Sequence, residues 1–156
     1  EHNQKLQFTI LIGDYIFGRI LKLLLEAEAG SLLDDFSQLM CEISEGMMLE
    51  FKTDSAVDFV LQKTRGSLYS TAFLTAARMA RLDKEQVRDY EEIGYHLGLA
   101  LELMYKQENT LSEQYRMETE TLIEEFGLHC SDTAYILEPF VRELFKGFLV
   151  IPAAVG

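Results

Sequence analysis

The sequence predicts an all-α protein, a helical bundle of about five to seven helices, and three observations carry that prediction. Apolar residues recur at intervals of three and four through most of the chain. Residues of the Ser, Thr and Asp type stand where those stripes begin. No Asn-Gly or Asp-Gly hairpin signal interrupts them, and no alternating apolar–polar run is long enough to read as a strand.

The elements follow in order. From Lys5 to about Glu28, apolar residues at Leu6, Ile10, Phe17, Leu21, Leu24 and Leu25 keep helical spacing, and Gly30 reads as the stop. Ser31, with Asp34 three residues on, caps a second helix to about Phe51, whose stripe is Leu32, Phe36, Leu39, Ile43 and Met47. Ser55 with Asp58 repeats the pattern before a third helix, about Ala56 to Ala80. Asp83 with Gln86 opens a fourth, about Lys84 to Lys106. Thr110 with Glu113 caps a fifth, which Gly127 ends. Ser131 opens a last segment to about Leu149, in which Pro139 either kinks the helix or marks its true first turn. Leu97 to Met104, Ile10 to Phe17 and Leu68 to Ala77 are apolar on most faces. Helices of that kind are expected to be buried by several neighbours, and a cavity between such helices is a natural place for a ligand.

Composition narrows the function. With 156 residues the chain suits one domain, 1–156, able to bury a core. A net charge of −12 and a pI near 4.6 argue against a nucleic-acid groove or an anionic membrane surface as partner. No apolar run reaches the ~18 residues of a membrane-spanning helix. Cys41 and Cys130 lack metal-type spacing and read as buried thiols of a cytoplasmic protein.

The stretch ILIGDYIFGRILKLL, Ile10 to Leu24, resembles the LxGDYLFARAxELL helix of the trans-isoprenyl diphosphate synthases, the polyprenyl synthetase family. The resemblance continues in order. EISEGMMLEF, with Ile43, Glu45, Gly46 and Leu49, is similar to that family's EGExLQ helix. VLQKTRGSLYSTAFLTAA, Val60 to Ala77, resembles its xxxKTAxLFxxAxxLGA helix. YEEIGYHLGLALELM, Tyr90 to Met104, resembles its FGxxLGxAFQIxDD helix, and Tyr115 to Leu149 is more loosely similar to its C-terminal helices. The resemblance implies a helical bundle of the isoprenoid synthase type and a place in isoprenoid biosynthesis. Enzymes of this family join an allylic diphosphate to isopentenyl diphosphate, using Mg²⁺ held by two Asp-Asp-x-x-Asp motifs to stabilise the departing diphosphate.

The departures bear on activity. The family's first aspartate motif lies ahead of the GDY helix, but the nine residues before Ile10 contain no aspartate. At the second motif, Tyr105 and Lys106 stand where metal-binding carboxylates belong, and Glu102 takes the place of the family's glutamine. The lysine-bearing loop that follows in the family has no counterpart. No metal site is therefore expected in this chain alone. Lys63 and Thr64 match the Lys-Thr pair that contacts the allylic diphosphate in the family, and an ammonium beside a hydroxyl suits phosphate. Glu102 and Lys106 are candidates for an additional pocket, with Lys106 placed to hold a diphosphate alongside Lys63. Asp14 and Arg19 match the GDY helix, where Asp14 is expected to fix helix packing.

Other chemistry-bearing residues read as structural. Asp34 and Asp35 fall in a first helical turn, where acids suit the helix dipole, and Gln38 replaces the third acid of a metal motif. Glu118, Glu120, Glu124 and Glu125 read as a solvated face. His2, His96 and His129 have no partner at ligand spacing. The expected function is that of a polyprenyl synthetase family member: a shortened chain, a non-catalytic subunit or a remnant of a synthase that elongates prenyl diphosphates. The expected partners are a second copy or a full-length prenyl synthase, and a prenyl diphosphate. A helical interaction module without prenyl chemistry is the alternative.

Overall fold

The computed structural model describes residues 2–50, 57–106, 109–129 and 131–149, and they are helical with no strand among them. Helix α1 is His2–Glu26, a 3₁₀ turn covers Gly30–Leu32, and α2 is Leu33–Glu50. Next come α3, Val57–Leu61, a π turn at Gln62–Gly66 and α4, Ser67–Met79, which form one continuous helical run. Then follow α5, Lys84–Tyr105, α6, Asn109–His129, and α7, Ser131–Leu149. Counting the α3–α4 run once gives six helices among the described residues, as the periodicity predicts. Ser55, Ala56, Glu108 and Cys130 lie outside the described residues, as do the side chains of His2 and His129.

The residues cluster into two compact units, 1–38 and 39–156. In the first, α1 ends two residues earlier than Gly30 would place it. The Ala29 N–H bonds Leu24 O at 2.8 Å and the Glu28 N–H bonds Leu25 O at 3.1 Å. That is a Schellman closure, and Glu28, not a glycine, adopts its left-handed conformation at φ 54°. Ser31 does not cap α2, because it lies inside the 3₁₀ turn, while Asp34 and Asp35 do occupy the first turn of α2. The apolar run of α1 is not buried as expected: Ile10, Leu11, Tyr15, Ile16 and Phe17 are all exposed. An all-round apolar pattern marks surface that needs covering, and 38 residues contain no second long helix to cover it.

The second unit has α5 at its centre. Ile93, Leu97, Leu99, Ala100, Leu101 and Leu103 are all buried, because α4, the π turn, α6 and α7 pack around the helix. Here the all-round apolar pattern meets its expected burial. Phe126, Val141 and Phe145 close the core from α6 and α7. Asp83 starts α5 with the full capping box: its carboxylate accepts from the Glu85 and Gln86 N–H groups, and the Gln86 side chain accepts from the Asp83 N–H. On the α4 side, α5 approaches through Gly94 and Gly98. A Cβ at Gly98 would stand 2.5 Å from the Tyr69 ring. Pro139 lies inside α7, on an exposed face. Cys41 is exposed and free, not buried.

Candidate functional site

The π turn at Gln62–Gly66 organises the polar centre of the second unit. Its defining bond runs from the Ser67 N–H to Gln62 O, one residue wider than an α-helical bond. Such turns are rare and recur at functional sites. Two glycines seat it. At Gly66 a Cβ would lie 2.6 Å from the Tyr95 ring, so α5 lies directly against the turn. At Gly46, on α2, a Cβ would lie 2.7 Å from Thr64 Cγ2 and 2.9 Å from Lys63 Cβ.

Four consecutive side chains leave this turn for four different destinations. Gln62 Nε2 donates to the Tyr115 hydroxyl on α6 at 3.3 Å. Lys63 Nζ meets Glu45 Oε2 on α2 at 3.0 Å. Thr64 Oγ1 donates back to Val60 O at 2.7 Å. Arg65 Nε stands 3.6 Å from Glu102 Oε1 on α5. Residues two apart point to roughly opposite sides of a helix, which is why the two cations face different neighbours. Just beyond the turn, Ser67 is buried and its hydroxyl donates to the Glu42 carboxylate. Lys63 is therefore flanked by two acids of α2. Its pKa is held above the ordinary lysine value, chiefly by the hydrogen bond to Glu45, against a smaller opposing effect of burial, with the Glu45 and Glu42 charges adding.

Of the sequence-predicted residues, Lys63 and Thr64 lie together on the turn, and Glu102 joins them through Arg65. Lys106 caps α5 one turn beyond Glu102, with its N–H on Glu102 O at 3.0 Å, and its side chain is exposed. No side-chain bond to another described residue draws it toward Lys63. Asp14 and Arg19 are exposed on α1. Sequence reasoning missed the roles of Glu42, Glu45, Arg65 and Ser67, because their pairings join helices far apart in the chain. It also missed that Glu118, one of the supposedly solvated acids, brings Oε2 to 2.7 Å from His96 Nδ1, at ion-pair distance but outside hydrogen-bond geometry.

Among the described residues no group of three or more His, Cys, Asp or Glu side chains is placed to hold a metal ion. Tyr105 and Lys106 both end α5 in solvent. The donors among the described residues do not fit the paired-carboxylate Mg²⁺ chemistry that the resemblance implies.

The family model described as polyprenyl synthetase matches residues 2–105, about two thirds of the chain. The chain belongs to the polyprenyl synthetase family. It is 29% identical over 109 residues to the decaprenyl-diphosphate synthase of Dictyostelium discoideum, covering 67% of this chain and 24% of that protein. It is 31% identical over 106 residues to the all-trans-nonaprenyl-diphosphate synthase (geranyl-diphosphate specific) of Rhodobacter capsulatus, covering 63% of this chain and 32% of that one. The chain thus spans about a quarter to a third of the length of these curated relatives. No solved structure matches it. The family match ends with α5, so α6 and α7 lie beyond it.

Proposed function

We propose that this chain acts in isoprenoid diphosphate metabolism as a single, partial synthase-like domain that binds the diphosphate of a prenyl diphosphate without elongating it unaided. The observation that carries the reading is the turn at Gln62–Gly66, which sets Lys63 of the segment matched to the family against α2 with its side chain partly exposed. Lys63 offers a point charge with three donors, which suits phosphate oxygens. Thr64 contributes less than its sequence position promises, because its hydroxyl already donates to Val60 O. Mg²⁺ would supply leaving-group stabilisation in the family's chemistry, and the described residues offer no carboxylate cluster to hold it.

The test is incubation of the homogeneous 156-residue chain with radiolabelled isopentenyl diphosphate, an allylic diphosphate and Mg²⁺. The expected result is no extractable elongated product. Metal-dependent elongation would refute the proposal. The proposed partner is a second copy or a full-length prenyl synthase, which would cover apolar side chains such as Leu11, Tyr15 and Ile16. Light scattering that shows a stable monomer at micromolar concentration, unchanged by an added synthase, counts against that assembly.

A second reading, a helical interaction module without prenyl chemistry, is favoured by one observation. Lys63 and Arg65 each already face a carboxylate, on Glu45 and Glu102 respectively. Calorimetry with inorganic pyrophosphate separates the two, because the module predicts no binding that depends on Lys63.

A further inference from the structure

We infer that Glu45 is an internal competitor for the anion site at Lys63, so that a diphosphate binds by displacing the Glu45 carboxylate from the ammonium. The inference rests on the diphosphate reading proposed above and adds the residue that sets the site's affinity.

The local charges give the reason. Lys63 Nζ is 3.0 Å from Glu45 Oε2, and Glu42, one helical turn before Glu45 on α2, places a second carboxylate nearby. Two carboxylates and one ammonium leave this group net negative before any ligand arrives. A diphosphate approaching Lys63 therefore meets like charge at short range, which disfavours binding while Glu45 stays in place.

The two acids differ in freedom. Glu42 accepts the hydroxyl of Ser67, a buried residue, and is anchored there. The Glu45 side chain is 56% exposed, while that of Lys63 is 29% exposed. Glu45 can thus rotate into water without stranding a buried charge, and the vacated side of Lys63 Nζ can accept a phosphate oxygen. No covalent step is involved: one charge-assisted hydrogen bond is exchanged for another. The close seating of Gly46 on the turn fixes where the Glu45 backbone stands relative to Lys63, so the competition is built into the packing of α2 on the turn.

The experiment is isothermal titration of the full chain with inorganic pyrophosphate in metal-free buffer. Four proteins are compared: the wild type, Glu45→Gln, Lys63→Met and the double variant. Glu45→Gln is expected to tighten binding about tenfold, the effect of removing one unit charge from a partly exposed pair. The double variant is expected to bind no better than Lys63→Met. Equal affinity of wild type and Glu45→Gln, with both binding through Lys63, overturns the inference and leaves the diphosphate reading standing. Binding by none of the four overturns the diphosphate reading, and the inference with it. Glu45→Ala, at a half-exposed helix position where alanine is well tolerated, provides the same comparison if the glutamine variant folds poorly.

Discussion

Arg65 Nε stands 3.6 Å from Glu102 Oε1, linking the π turn to the one acid in the apolar stretch Leu97 to Met104 of α5. Glu102 lies in a run of apolar side chains, and its own side chain is 22% exposed against 50% for Arg65. The carboxylate is not stranded among apolar neighbours, because the guanidinium reaches it from the edge of the bundle. Replacing Glu102 by Gln should cost less than about 1 kcal/mol, since the partner is half-exposed and screened by solvent. A double-mutant cycle with Arg65→Met in urea unfolding measures the pair. A coupling of several kcal/mol would mean a much drier contact than this geometry describes.

Arg81 ends α4 in the left-handed conformation, at φ 59°, with the Leu82 N–H bonded to Ala77 O and the Arg81 N–H to Arg78 O. A residue with a Cβ is strained there, and its side chain is exposed. Arg81→Gly should raise stability by about 0.5 kcal/mol, as relief of that strain exceeds the added freedom of glycine in the unfolded chain. The urea midpoint should rise without a change in slope.

Gly98 makes the opposite case. A methyl group there would stand 2.5 Å from the Tyr69 ring at the contact of α4 with α5. Gly98→Ala should destabilise by about 1–3 kcal/mol through overpacking. Gly13→Ala, where a Cβ meets nothing within 4 Å, should not destabilise the protein. Thermal unfolding of the two variants side by side checks both.

Asp83 is the clearest cap in the chain, with both halves of the capping box formed. Asp83→Ala should cost about 1 kcal/mol. Asp83→Asn should recover most of it, since the amide oxygen still accepts from the same N–H groups.

The pH dependence has two small limbs of opposite sign. Glu113 is held below the ordinary carboxylate value by its hydrogen bond to Arg116. Its contribution is present at neutral pH and is lost as pH falls through that lowered value. The stability difference between wild type and Glu113→Gln should therefore shrink from pH 7 toward pH 3. Lys63, raised by Glu45, contributes below the ordinary lysine range and loses that contribution as pH rises through its elevated value. Urea midpoints of wild type and Glu45→Gln should converge on that alkaline limb.

The all-α architecture and the start of α5 at Lys84 were legible because amphipathic periodicity and a capping box are local signals. Asp83 with Gln86 behaves as its spacing promises. Gly30 misled because the chain closes α1 at Glu28 through backbone bonds that need no glycine. The burial of Ile10 to Phe17 was misjudged because an apolar face records a need for cover without saying which segment meets it. Lys63 and Thr64 stood out as candidates because their motif is contiguous. The carboxylates that decide Lys63's behaviour sit on another helix, and the spacing of Glu42 and Glu45 on α2 looks like any solvated pair. Only packing through Gly46 brings them to the lysine.

The π turn has one more consequence. Its wide rung can in principle step along a helix by exchanging hydrogen-bond partners one at a time, and each step rotates the side chains it passes by nearly a third of a circle. Here such wandering is blocked at both margins, by the Tyr95 ring under Gly66 and by α2 over Thr64. The two glycines therefore work as detents that hold a ratchet at one tooth. A bulkier residue at either place would push the wide rung elsewhere along the run, and a different pair of side chains would then face α2 and α5.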